Sequence, residues 1–139
     1  MKYNYVRRGF GVLICGSPIW LAVVSGVMSI GHNKSIGIMG IVFFILAGLI
    51  TIANIHFSFL RPWLYYRKRK SMEKYQYESG IPMIGSILII LGIIVSFQNL
   101  LFAIIGLVTS VLDTGGLVWL LIMTWKDQSF WDEKGMKLF

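Results

Sequence analysis

A single acidic residue, Asp113, stands deep inside a long apolar stretch of this chain. It lies thirteen residues after Leu100 and twelve before Trp125, with no Lys or Arg between them. An acid at mid-depth of a membrane helix costs about 2.5–3.5 kcal/mol on insertion scales, so it normally faces protein or water and often has a role. Three roles fit: a proton or cation site, a docking point for a partner helix, or a protonated acid hydrogen-bonded between neighbouring helices. The string Asp113-Thr114-Gly115-Gly116 is turn-like. Its two glycines each disfavour a helix by about 1 kcal/mol. An unwound segment at mid-depth is how transporters build ion sites. Counting helical rise from the ends of the apolar runs puts Ser17, Thr51 and Ser86 near the same depth, and their hydroxyls are expected to satisfy the acid.

Other reactive types are sparse. Asn54 and His56 precede Arg61, and a lone histidine there is read as a packing residue; His32 falls in a polar turn. Two histidines and one cysteine cannot make a metal cluster at normal spacing, so no metal and no cofactor is expected. Cys15, the single cysteine, excludes an internal disulfide and sits in an apolar run, where it reads as packing. No G-x-S-x-G, phosphate loop or H-E-x-x-H is present. The only paired carboxylates, Asp132-Glu133, are explained by solvation in the tail. No catalytic residue is assigned, and the chain is not read as an enzyme.

The elements that must position Asp113 follow from composition. Of 139 residues, 56% are hydrophobic and 14% charged, too few charges to coat a soluble globule, which carries about 25%. Four apolar runs, 10–31, 36–60, 80–97 and 100–125, are each long enough for a hydrocarbon core of about 30 Å at about 1.5 Å per residue. The first exceeds the core of a signal peptide and lacks a small-x-small cleavage site, so it reads as a mature helix. His32-Asn33-Lys34-Ser35 joins the first two runs and Gln98-Asn99 the last two, so each pair forms an antiparallel hairpin. The expected fold is an all-α membrane protein: one domain over 1–139, four transmembrane helices as two antiparallel hairpins, joined by a basic loop at 61–79. A short basic helix along the membrane surface is expected over 63–74, opened by Pro62, and Pro82 is expected in the first turn of the third helix.

Charge sets the orientation. The net charge is +7, from 13 basic and 6 acidic residues. Twelve of the basic residues fall on the side of the termini and the 61–79 loop, against Lys34 alone on the other. The positive-inside rule places both termini in the cytoplasm, as a multi-pass protein of the bacterial inner membrane. The aromatic residues Trp63, Tyr65, Tyr66, Tyr75, Tyr77, Trp125, Phe130 and Trp131 flank the runs at headgroup level. The basicity reads as topology control and contact with anionic lipid through Arg67, Lys68, Arg69 and Lys70, not as nucleic-acid binding.

Small residues recur every four positions: Gly106 and Ser110, Gly92 and Ser96, Ala22 and Gly26. Such stripes let helix backbones approach, either within the bundle or in a homo-oligomer. The short hairpins, the Ser79-Gly80-Ile81-Pro82 entry and the Asp113-Thr114-Gly115-Gly116 segment together resemble small uncharacterised bacterial inner-membrane proteins. Among these are immunity proteins that protect a cell from its own membrane-directed toxin. No defined family signature accompanies the resemblance. It implies a membrane protein or toxin as partner and transfers no functional residue. The first expectation for function is therefore a non-enzymatic membrane protein that binds a membrane partner through its helices. The alternatives are a small oligomeric channel or transporter using Asp113, and then a membrane enzyme or lipid-modifying factor.

Overall fold

Long apolar segments can satisfy every backbone group internally as helices, and here they do so. The computed structural model describes residues 5–70, 75 and 80–131, and every regular element among them is helical. The elements are α1 (Tyr5–Cys15), α2 (Ser17–Ser29), α3 (Ile38–Ile55), a π-turn (His56–Leu60), α4 (Arg61–Arg69), α5 (Ile84–Val95), α6 (Leu100–Leu112), α7 (Leu117–Thr124) and α8 (Gln128–Trp131). Ser79, Tyr77, the Asp132-Glu133 pair and the basic residues Lys2, Lys74, Lys134 and Lys137 lie outside the described residues.

The expected runs differ from these helices in three places. The first is bent by 57° between α1 and α2. Pro18 enters the first turn of α2, where it has no N–H to give, and the chain turns at Gly16. The second run does not stop at Leu60. It continues through the π-turn into α4 as one helix, Ile38–Arg69, of 32 residues, about 48 Å at 1.5 Å per residue. Arg61 N–H reaches back five residues to the His56 carbonyl. A proline ring at 62 would press on the carbonyl four residues earlier, and the wider turn gives it room. The expected separate surface helix is thus the end of the second one.

The third run shortens. Met83 takes a left-handed φ of 63°, so α5 begins only at Ile84 and Pro82 lies in the turn before it. At 12 residues α5 is about 18 Å long, well short of a hydrocarbon core. By length and composition, Ile38–Arg69 and Leu100–Thr124 can each cross a membrane, and there is a third crossing if the bent α1–α2 pair is one span rather than a re-entrant loop. Of the four spans expected, two to three are therefore supported by length and composition.

The helices pack closely through small residues. α3 lies against α5, α2 against α6, and α1 against α7, so the two halves of the first run pair with the two halves of the last. The core holds Ala22, Phe44, Ala47, Ile89, Ile93 and Phe102, with the Phe44 and Phe102 rings stacked at 4.9 Å. The two short turns interlock at one end of the bundle. Lys34 N–H donates to the Gln98 carbonyl at 3.0 Å, and Asn99 Nδ2 donates to the Lys34 carbonyl at 2.7 Å. Asn99 Oδ1 also caps α6 by accepting from Phe102 N–H. The outside of the bundle is apolar: Ile38, Ile52 and Met123 are each more than 60% exposed. Apolar surface of this extent is compatible with lipid as the solvent.

Candidate functional site: a buried clasp at Asp113

The last apolar run breaks where the sequence string suggested. Asp113 N–H still closes α6 on the Thr109 carbonyl at 2.9 Å, and then the backbone leaves the helix. Gly116 N–H returns to the Asp113 carbonyl at 2.8 Å and serves as the N-cap of α7. Two glycines and an acid cannot sustain a helix against a tighter local turn. The break turns the Asp113 side chain into the bundle, where it is fully buried.

Its partner comes from α3. Asn54 Nδ2 donates to Asp113 Oδ1 at 2.6 Å. Asn54, also fully buried, pairs with the Ile81 main chain in both directions. It accepts from Ile81 N–H at 2.7 Å and donates to the Ile81 carbonyl at 3.2 Å. Two residues further along, Met83 N–H donates to the Gly115 carbonyl at 2.8 Å. Ser86 Oγ accepts from Leu117 N–H at 2.9 Å and so caps α7 from a different helix. Ser58 and Thr114 hydroxyls bond at 2.9 Å beside the cluster. Three separate stretches, 54–58, 81–86 and 113–117, are thereby tied at one point.

Glycines wall this clasp. A Cβ on Gly85 would collide with Asp113 Oδ2, and one on Gly80 with Asn54 Oδ1. One on Gly116 would lie 2.6 Å from Ser86 Oγ and 2.7 Å from Asp113 Oδ2, and one on Gly115 2.5 Å from Asn54 Nδ2. Asp113 Oδ2 has no hydrogen-bond partner among the described residues. It sits against the first turns of α5 and α7, whose amide ends carry partial positive charge. Those helix ends, not a Lys or Arg side chain, supply the local electrostatic complement to the carboxyl group.

Asp113, Thr114, Gly115, Gly116 and Ser86 thus meet in one place. Thr51 is buried one turn before Asn54, its hydroxyl without a partner and not bonded to Asp113. Ser17 is half-buried at the start of α2 and makes no bond to Asp113. Sequence reasoning passed over Asn54 as the partner because it ended the second run at Leu60, which placed Asn54 near the membrane surface. The helix runs on to Arg69. Counted from Arg67, Asn54 is thirteen residues in, the same spacing that separates Asp113 from Lys126.

The small-residue stripes face inward. Ala22 is in the core, Gly26 faces Ala103, Gly92 faces Phe44 and Gly106 faces Ile93. Ser110 Oγ bonds to the Gly106 carbonyl at 2.7 Å, and Ser96 is buried against Gly40. The basic residues close α4: Arg67 lies over the Trp63 ring at 5.4 Å and Arg69 over the Tyr65 ring at 5.3 Å, with Lys68 beside them and Lys70 left-handed at φ 52°. Among the described residues no three His, Cys, Asp or Glu side chains gather where they could hold a metal ion. Comparison with protein-family models, with curated proteins and with solved structures finds no match to this chain.

Proposed function

We propose that this chain is a non-enzymatic protein of the bacterial inner membrane that acts by binding a membrane partner through the outer faces of its helices. The observation that carries this is the burial of Asp113 behind Asn54. The one acid within the apolar runs is committed to joining segments of its own chain, and cannot be the docking point for a foreign helix. What other molecules meet is the apolar outer surface and the basic end of α4. A partner of matching chemistry is itself membrane-embedded. Immunity against a membrane-directed toxin is one form of this role, drawn from the sequence resemblance alone. In this proposal the chain crosses four times with both termini cytoplasmic, α5 being completed by its flanking turns. The asymmetry of twelve basic residues against one supports that orientation. In-membrane crosslinking of tagged protein at native abundance, followed by mass spectrometry, tests the binding role. A stoichiometric foreign membrane protein is the expected result; only self-crosslinks would count against it.

One observation favours a second role, a small channel or transporter. Asp113 Oδ2 is buried without a partner beside an unwound segment between two half-helices, an arrangement found at transporter ion sites. Here Asp113→Asn abolishes ion flux by the reconstituted protein while insertion is kept. Equal flux from the variant and the parent removes this role.

A further inference from the structure

We propose that the outer face of α3 and α4 is a binding site for one anionic phospholipid, with its acyl chain along the helix and its phosphate at Arg67. This rests on α3 crossing the bilayer, and it gives this one face to lipid, leaving the other outer faces to the proposed membrane partner. The face carries a groove of about 590 Å³ lined by Ile52, Ile55, His56, Phe59, Leu60 and Trp63. Those residues all belong to one continuous helix, at steps of three and four, so they form a single stripe. Ile52, Phe59 and Trp63 are each more than half exposed, so the stripe is largely open, with the Trp119 ring of α7 flanking Phe59 at 6.3 Å.

Length and charge choose the occupant. From Ile52 to Trp63 the helix rises about 16 Å at 1.5 Å per residue, close to the depth of one leaflet, about 15 Å of a 30 Å hydrocarbon core. The groove ends at Trp63, where Arg67 lies over the indole at 5.4 Å. Lys68 and Arg69 follow in the same last turn. A guanidinium over a ring face still has N–H groups at its edge with which to meet a phosphate in the headgroup layer. A second pair of the same kind, Arg8 over Trp125 at 5.3 Å, lies beside its own groove of about 360 Å³ between α1 and α7. In the antiparallel bundle both pairs fall at the end opposite the interlocked turns, which fits one headgroup layer. An apolar channel one leaflet deep, closed by cations at the headgroup end, matches a phospholipid of negative charge better than a second helix. A helix would leave the arginine end without an anion.

The test uses the full chain in vesicles of mixed phosphatidylcholine and phosphatidylglycerol, with one lipid brominated at a time. Quenching lost in Trp63→Phe is assigned to Trp63. The apparent affinity at Trp63 is expected to be about fivefold higher for phosphatidylglycerol, the effect of one cation at an anionic surface. In Arg67→Gln it should fall to parity, with thermal stability unchanged because the side chain is exposed. Equal quenching by the two lipids in the parent protein overturns the proposal. So does a preference that survives Arg67→Gln combined with Lys68→Gln and Arg69→Gln. Capture of another polypeptide in cell membranes by a photo-crosslinker placed at Ile55, with no lipid adduct, would give the groove to a protein instead.

Discussion

Asn54→Ala should weaken the fold far more than its size suggests. Three hydrogen bonds end on this side chain, one from its amide to Asp113 and two exchanged with Ile81. Truncation leaves the buried Asp113 Oδ1 and both main-chain groups of the partly exposed Ile81 without these partners. Each orphaned buried group costs about 1–3 kcal/mol in water-soluble proteins. Between membrane helices the corresponding values average about 0.6 and reach about 1.7 kcal/mol, because the unfolded chain also finds partners in the membrane. Three groups on the membrane scale, plus the small cavity left behind, give a loss of about 2–4 kcal/mol. Asp113→Ala should cost less, about 1–2 kcal/mol, since it removes only one of the bonds of the Asn54 amide, which keeps both to Ile81, and an oxygen that had no partner among the described residues. The double variant should then be less unstable than the sum of the two by about 1 kcal/mol, the signature of a direct contact. Asp113→Asn keeps an acceptor for Asn54 and should be the mildest of the series. Reversible unfolding in bilayers by steric trapping reads all four values. A loss below about 0.5 kcal/mol for Asn54→Ala, or strict additivity in the double variant, would show that the clasp does not hold the bundle together.

The glycine wall gives a sharper contrast: Gly85→Ala and Gly116→Ala should each destabilise by about 1–3 kcal/mol through overpacking. Gly48→Ala, on an open face with nothing near it, should be neutral or stabilise by up to about 1 kcal/mol; equal effects at all three sites in the same unfolding assay would contradict the packing described. Ser86→Ala should remove the cap on Leu117 and cost about 1 kcal/mol, with faster amide exchange confined to the first turn of α7, and exchange unchanged there would remove Ser86 from that role. For orientation, a cysteine in place of Lys34 on a Cys15→Ala background should react with an impermeant thiol reagent in intact cells. One in place of Lys68 should react only once the cytoplasmic side is opened. The reverse pattern would overturn the cytoplasmic placement of the termini.

Much of the fold was legible because lipid leaves few choices. Apolar runs became helices, and polar pairs such as Gln98-Asn99 became turns. The string at 113–116 showed as a break because two glycines and an acid share it. Helix ends were harder to read. Pro62 looked like a start signal, yet a single π-turn lets the helix pass it, and nothing in composition distinguishes the two outcomes. The turn at 80–83 depends on Met83 adopting a left-handed backbone, which a non-glycine residue does not advertise. The partner of Asp113 was hidden for the same reason. Depth was measured from Leu60 and not from Arg69, so Asn54 appeared too shallow to reach it.

The clasp also has a consequence for how the chain is made. Asn54 lies on α3 and Asp113 at the end of α6, so neither the α1–α4 half nor the α5–α7 half can complete the site alone. In the proposed topology, when the second half first enters the bilayer its acid has no amide to meet and carries an insertion penalty of about 2.5–3.5 kcal/mol. Docking of the two halves removes that penalty late, after Asp113 itself has been inserted. A half-assembled or truncated chain therefore exposes a polar flag within the membrane, which gives quality-control proteases a physical means to tell it from the finished protein.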